Sequence, residues 1–221
     1  MIYKKSKLQI DPKRSRLRMV REQLARRGIV DELVLNAMAT VPRHLFVPNG
    51  LFSHAYDDRS LPIGYGQTIS QPFTVAKMLQ NLELKPGLRV LEIGMGSGYQ
   101  AAVIAAMGCT VFTMERLPEL YQITKKRMAG MNYHNLHMHL GDGTRGFPQA
   151  APYDRIIVAA GGPGIPKPLV EQLENHGILI IPVGPRPRTQ VLYKLIREDN
   201  KIYSENLGKA DFVNLVGDHG W

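Results

Sequence analysis

Three glycines stand at alternate positions in the run Leu91-Glu92-Ile93-Gly94-Met95-Gly96-Ser97-Gly98-Tyr99. Glycines in that pattern let a backbone turn sharply and approach a ligand with no Cβ in the way. The residues before them, Arg89–Ile93, read as a short apolar strand, and Ala101–Ala106 after them read as a helix. An α/β sheet holds a nucleotide-type ligand at that junction, outside the carboxyl end of a strand. The dinucleotide fingerprint is broken, because Tyr99 stands where its third glycine belongs, and no GK[ST] follows for a phosphate loop. Three acids sharpen the reading. Glu92 lies just ahead of the loop, within reach of a cationic amino group. Glu115 closes the next strand, 17 residues past Gly98, where a carboxylate can accept both hydroxyl hydrogens of a ribose. Asp142, in Gly141-Asp142-Gly143, follows the third strand and can accept from an adenine amino group. Each acid alone reads as a cap or a surface charge. Together they describe a ligand with an adenine, a free ribose, an amino-acid end and no phosphate, which is S-adenosylmethionine.

The elements that must hold these residues follow from hydrophobic spacing. Helical periodicity appears over Leu17 to Ala25, Leu33 to Ala39 and Pro72 to Leu82, with Gly28 and Asp31 marking a stop and a start. Between residues 42 and 71 prolines and glycines punctuate a long irregular stretch. From Arg89 onward strands and helices alternate. Strands are expected at Arg89–Ile93, Thr110–Met114, Leu136–Leu140, Arg155–Ala159 and Ile178–Val183, and a helix from Pro118 to about Ala129. Gln190–Ile196 and Lys201–Leu207 read as a closing antiparallel pair. This order predicts an α/β, doubly wound, mostly parallel sheet with helices on both faces and an N-terminal helical extension. Residues 1–82 form the basic arm and a helical, loop-rich substrate side; residues 83–221 form the Rossmann-like core, the two packed as one domain.

Composition narrows the classes further. The 221 residues suit one domain, and 44% hydrophobic with 21% charged residues excludes a disordered tail or a fibre. No stretch reaches the roughly 20 apolar residues of a membrane span, and the lysine-rich start lacks the apolar core of a signal peptide. A cytoplasmic monomer with no membrane partner is expected. The single cysteine, Cys109, excludes an internal disulfide and a multi-cysteine metal site. No metal site is expected, since His134, His137 and His139 have no carboxylate spaced as a further ligand. Residues 1–27 carry ten basic side chains, Lys4, Lys5 and Lys7 among them, against two acids, nearly all of the net charge of +9. Such an arm can meet phosphates, but no aromatic residues interleave for base stacking, so nucleic acid is not the expected partner. Trp221 reads as an untethered terminal residue.

Residues 42–72 identify the substrate class. Pro42-Arg43-His44-Leu45-Phe46-Val47-Pro48, Ala55-Tyr56 and above all Leu61-Pro62-Ile63-Gly64-Tyr65-Gly66-Gln67-Thr68-Ile69-Ser70-Gln71-Pro72 closely resemble the protein-L-isoaspartate (D-aspartate) O-methyltransferases. The resemblance continues through the glycine loop, Gly141-Asp142-Gly143 and the residues 151–161, and spans roughly residues 20–197. It implies a seven-stranded methyltransferase sheet. It also implies methyl transfer from S-adenosylmethionine, which leaves S-adenosylhomocysteine, to the free α-carboxylate of L-isoaspartyl and D-aspartyl residues in damaged proteins and peptides. Repair then proceeds through succinimide. By resemblance Ser70 is the catalytic residue, Gly66, Gln67 and Ser70 meet the substrate, and Thr68 and Ile69 line its junction with the cofactor. Glu92, Gly94, Gly96, Gly98, Glu115, Asp142 and Gly143 fall on the cofactor positions.

The chemistry suits these residue types. An α-carboxylate has a pKa near 3.5 and is ionised at neutral pH. It therefore needs no general base, only to be held in line with an electrophilic methyl group. Backbone N–H groups over residues 64–70 and the Ser70 hydroxyl can hold it, whereas a direct lysine clamp would blunt its nucleophilicity. Ser70 is thus expected to position rather than attack, and Thr68 and Ser70 can also cap the helix that starts at Pro72. Three positions depart from the family pattern: Met95 replaces a small hydroxyl residue, Asn214 replaces a proline, and Asp211 precedes Phe212 in the tail.

Overall fold

The computed structural model describes residues 11–186, 189–199 and 201–221; Lys4, Lys5 and Lys7 of the basic arm lie outside the described residues. The first helix, α1 (Pro12–Arg18), starts earlier than its apolar spacing implies, because Asp11 accepts from the Lys13 and Arg14 amides and Pro12 opens the first turn. It runs on through a π-helical stretch, Met19–Leu24, and a tight turn, Ala25–Arg27, to left-handed Gly28 at φ 94°. Helix α2 (Glu32–Thr40) is capped in the same way by Asp31.

Strands β1 (Leu61–Gly64) and β2 (Gln67–Ile69) form an antiparallel hairpin within the stretch expected to be irregular. Its turn places Gly64, Tyr65 and Gly66 all at positive φ, and the strands are too short and too rich in Pro and Gly for a period of two to emerge. Helix α3 (Pro72–Leu82) follows as expected. The core is then β3 (Arg89–Ile93), α4 (Tyr99–Ala106), β4 (Thr110–Glu115), α5 (Pro118–Met128), β5 (Leu136–Leu140), β6 (Tyr153–Val158), α6 (Lys167–Glu171), β7 (Leu173–Val183), β8 (Gln190–Glu198) and β9 (Lys201–Ala210).

The seven core strands lie in the order β5-β4-β3-β6-β7-β8-β9. The first five are parallel, and β8 and β9 close the sheet as an antiparallel meander. The chain leaves β3 on one side for β4 and β5, and returns on the other for β6. That reversal opens a crevice beyond the carboxyl end of β3.

Side-chain alternation assigns the two faces. Val90, Ile157, Ile178 and Ile180 join one apolar cluster with α2, α3, α4 and Met19. Leu91, Ile156, Val158, Leu179 and Ile181 join the other, with Leu169 and Leu215. The first cluster runs from residue 19 to Phe212, so the core is continuous across residue 82. Helix α4 is buried on every side, which its small residues Ala101, Ala102 and Ala105 permit.

Candidate active site

The crevice is shaped by the glycine loop and by what grips it. The Gly94 and Met95 amides both donate to the Met114 carbonyl, at 3.0 and 2.9 Å, so the chain folds back over the end of β4. Helix α5 holds the loop from below. The Thr124 hydroxyl donates to the Gly96 carbonyl at 2.6 Å, and Arg127 Nη1 donates to the Ser97 carbonyl at 2.9 Å. Gly98 makes this contact possible: it has φ 84°, and a Cβ there would lie 2.9 Å from Thr124 Cγ2.

Of the three acids, only Glu115 reaches the crevice. Its Oε2 accepts from the Gly96 amide at 2.9 Å, and its Oε1 accepts from the Arg116 and Leu117 amides at 2.9 and 3.0 Å. A carboxylate has roughly four acceptor directions, so Oε2 keeps capacity for a hydroxyl group.

Glu92 differs from expectation. It is fully buried, where it accepts from Gln100 Nε2 at 3.0 Å and from the Thr113 hydroxyl, and it does not line the crevice. It lies on the sheet face of Val90, and there α4 brings Gln100 over it. Burial pushes its carboxyl up to about 8, against the pull of the two hydrogen bonds and with a further push from Glu115.

Asp142 differs too. Its Oδ1 accepts from the Thr144 amide and hydroxyl, at 2.8 and 2.7 Å, and its Oδ2 from the Asp218 amide at 2.9 Å. The hydrogen bonds from Thr144 and Asp218 hold its pKa below the usual value although burial opposes them. Its carboxylate thus fastens the C-terminal tail, and the neighbouring Gly143 is the residue that lines the crevice.

The resulting cleft, about 830 Å³ with its mouth included, brings together Gln67, Thr68, Ile69, Ser70, Gly94, Gly96, Glu115 and Gly143 from the expected set. Gly66 sits in the hairpin turn and Gly98 at the start of α4; neither is on the wall. Tyr99, Gln100, Arg116, Ala159 and the tail residues Val213–Val216 are also on the wall. The tail is fastened across the cleft by the Gly161 amide donating to the Val213 carbonyl and the Leu215 amide donating to the Gly161 carbonyl, each at 2.8 Å. Trp221 is tied down rather than loose: its amide donates to the Leu215 carbonyl at 2.8 Å and its indole to the Gly161 carbonyl at 3.0 Å.

The hairpin delivers Ser70 to this cleft. The N-terminus of α3 takes its cap from Asp58, whose Oδ1 accepts from the Phe73 amide at 2.9 Å, and Gln71 at the cap position makes no side-chain bond. The expected capping role of Thr68 and Ser70 therefore falls to Asp58, and among the described residues no protein group engages the Ser70 hydroxyl. A second cleft opens on the other side of the same residue, between Ser60, Gln71, Thr74 and Lys77 and the strand ends at Gln190 and Lys209–Phe212. Ser70 belongs to both walls.

The donor set fits a ribose-bearing, phosphate-free ligand: among the described residues Glu115 is the one carboxylate on the first cleft's wall, Arg116 the one basic residue, and the rest is glycine, hydroxyl, amide and apolar surface. Among the described residues no three His, Cys, Asp or Glu gather as metal ligands; His137 and His139 stack with Phe112 and Phe147. No described helix is long and apolar enough to cross a membrane.

Fold and cleft together define the class of S-adenosylmethionine-dependent methyltransferases with a seven-stranded sheet. A family model described as Protein-L-isoaspartate(D-aspartate) O-methyltransferase (PCMT) matches residues 15–220. The chain belongs to that family. It is 48% identical over 200 residues to the protein-L-isoaspartate O-methyltransferase of Dictyoglomus thermophilum, covering 90% of each chain. With that of Protochlamydia amoebophila it is 50% identical over 204 residues, 92% of this chain and 97% of the other. Among solved structures, a protein-L-isoaspartate O-methyltransferase superposes with a TM-score of 0.86 at 28% identity, over 93% of this chain and 67% of the other. A Plasmodium falciparum structure described as a protein-L-isoaspartate O-methyltransferase in complex with S-adenosyl-L-homocysteine gives 0.79 at 29% identity, over 91% of this chain and 98% of the other.

Proposed function

We propose that this chain methylates the free α-carboxylate of L-isoaspartyl and D-aspartyl residues in damaged proteins and peptides. The observation that carries the reading is the placement of Ser70 between two clefts, one with the glycine loop and Glu115 on its wall and one open to a peptide. S-adenosylmethionine, when bound, supplies an electrophilic methyl group on a sulfonium. Glu115 Oε2 would accept a ribose hydroxyl, while Gly94, Gly96 and Gly143 would keep side chains out of the cofactor's path. Thr68 and Ile69 form the partition, and Gln67 borders the approach of the substrate.

The Ser70 hydroxyl donates to the substrate carboxylate and fixes its orientation. An oxygen of the held carboxylate would take the methyl group as its bond to sulfur breaks, the electron pair going to the sulfur of S-adenosylhomocysteine, and no proton would have to move. The resulting ester is activated toward the amide nitrogen of the following residue, which closes a succinimide and expels methanol. Hydrolysis of that ring returns part of the product to normal aspartyl linkage. Glu92 and Asp142 serve the site indirectly, by holding Gln100 and the tail.

Ser70→Ala removes one hydrogen bond to a charged group, worth roughly 1.5–3 kcal/mol. It should lower kcat/KM for an isoaspartyl peptide by about 10- to 150-fold, with S-adenosylhomocysteine affinity unchanged. Equal loss of cofactor affinity and turnover would overturn the positioning role.

A further inference from the structure

Arg43 is fully buried and forms no ion pair among the described residues. A buried charge of this kind is costly unless something compensates it. Its Nε donates to the Ala55 carbonyl at 2.8 Å and its Nη2 to the Ser70 carbonyl at 2.7 Å. Its third nitrogen, Nη1, is buried with no hydrogen-bond partner. The guanidinium carbon lies 4.8 Å from the centre of the Tyr99 ring, and the Tyr99 hydroxyl is likewise buried without a partner. The nearby acid, Asp58, is committed to Arg27 and to the Phe73 amide. Tyr99 and Ser70 both line the cofactor cleft, so a buried positive charge stands directly behind the wall that receives the substrate.

We infer that Arg43 is a positioning residue for methyl transfer, fixing the Ser70 backbone and supplying the counter-charge for the substrate carboxylate from one layer behind the wall. The inference rests on the proposed role of Ser70. Fold architecture alone accounts for the bonds to Ala55 and Ser70, since a neutral donor would serve two carbonyls as well. It does not account for a buried cation with no carboxylate bonded to it: Asp58 attracts the guanidinium only through space and is itself bonded to Arg27 and the Phe73 amide. An arriving carboxylate does account for it. Standing behind Ser70, the guanidinium draws the anion into the cleft without clamping its oxygens directly, so their lone pairs stay available to the methyl group. The stack on Tyr99 holds the guanidinium plane, and the two carbonyls fix its rotation.

The test is charge discrimination in the S-adenosylhomocysteine complex, where no turnover occurs. Binding of an isoaspartyl peptide is compared with binding of the same peptide carrying an isoasparaginyl residue, whose α-carboxyl is a neutral amide. The wild-type protein should prefer the charged peptide by roughly tenfold or more. Arg43→Met should reduce that preference to within about threefold, and Arg43→Lys should retain most of it, with S-adenosylhomocysteine affinity preserved in both. A merely structural role would weaken both peptides together and leave their ratio intact. An unchanged ratio in Arg43→Met overturns the inference. Should Arg43→Met fail to fold, Arg43→Gln carries the same comparison with its carbonyl contacts partly kept, and an unchanged ratio there is equally fatal. Failure of the wild-type protein to methylate the isoaspartyl peptide at all would instead strike the proposed function.

Discussion

Replacing Glu92 with glutamine tests whether the acid of the glycine loop is a ligand-binding carboxylate or a buried neutral one. Glu92 is sealed behind the cleft, holds Gln100 and Thr113, and has its carboxyl raised from 4.5 to about 8. Between those two values the folded protein keeps a proton that the unfolded chain releases. The stabilisation is therefore complete below the unfolded pKa and is lost as pH rises through the folded one. The slope is up to about 1.4 kcal/mol per pH unit, or roughly 4 kcal/mol between pH 5 and pH 8. Glutamine keeps the shape, accepts from Gln100 through its oxygen and donates to the Thr113 hydroxyl oxygen as a protonated carboxyl would, and carries no titrating proton. Urea unfolding of both proteins at pH 5, 6, 7 and 8 should therefore show the wild-type advantage over Glu92→Gln shrinking steadily as pH rises. A difference that stays flat across this range would show that Glu92 is ionised in the folded state, and the buried-acid argument would be wrong.

Two further outcomes follow from the geometry. Glu115→Ala removes both the cleft's carboxylate and the acceptor for three backbone amides. It should raise the S-adenosylhomocysteine dissociation constant about tenfold for each 1.4 kcal/mol lost, as measured by calorimetry; unchanged affinity would remove Glu115 from the ribose. Gly98→Ala forces a side chain into left-handed backbone and against Thr124, so unfolding stability should fall by roughly 2–5 kcal/mol. A loss below about 0.5 kcal/mol would mean that α5 does not grip the loop.

Much of this arrangement was legible because its causes are local. Alternation of strand and helix patterns gave the parallel core, and the glycine loop announced its place from backbone freedom alone. The family segment around Gln67-Thr68-Ile69-Ser70 pointed to the site, and those residues do line the cleft. The contacts that the sequence did not show are those whose partner is distant in sequence. Asp142 is claimed by the amide of Asp218, 76 residues away. Trp221 is anchored to Gly161 across 60 residues. Asp58 takes the cap that Thr68 and Ser70 were expected to supply, because the hairpin folds the chain back over α3. Glu92 carried a usable signal: a strand alternates its faces, and Glu92 shares parity with buried Val90. Arg43 carried none, since an arginine in a short proline-flanked stretch reads as solvated until packing seals it.

The central claim is that this cleft methylates isoaspartyl carboxylates. Its most direct test is transfer of a labelled methyl group from S-adenosylmethionine to a short isoaspartyl peptide, beside the same peptide with normal aspartate. The account predicts label on the isoaspartyl peptide alone, followed by its release as methanol as the succinimide closes. Cofactor binding with no transfer to the isoaspartyl peptide, or equal transfer to both peptides, would contradict it.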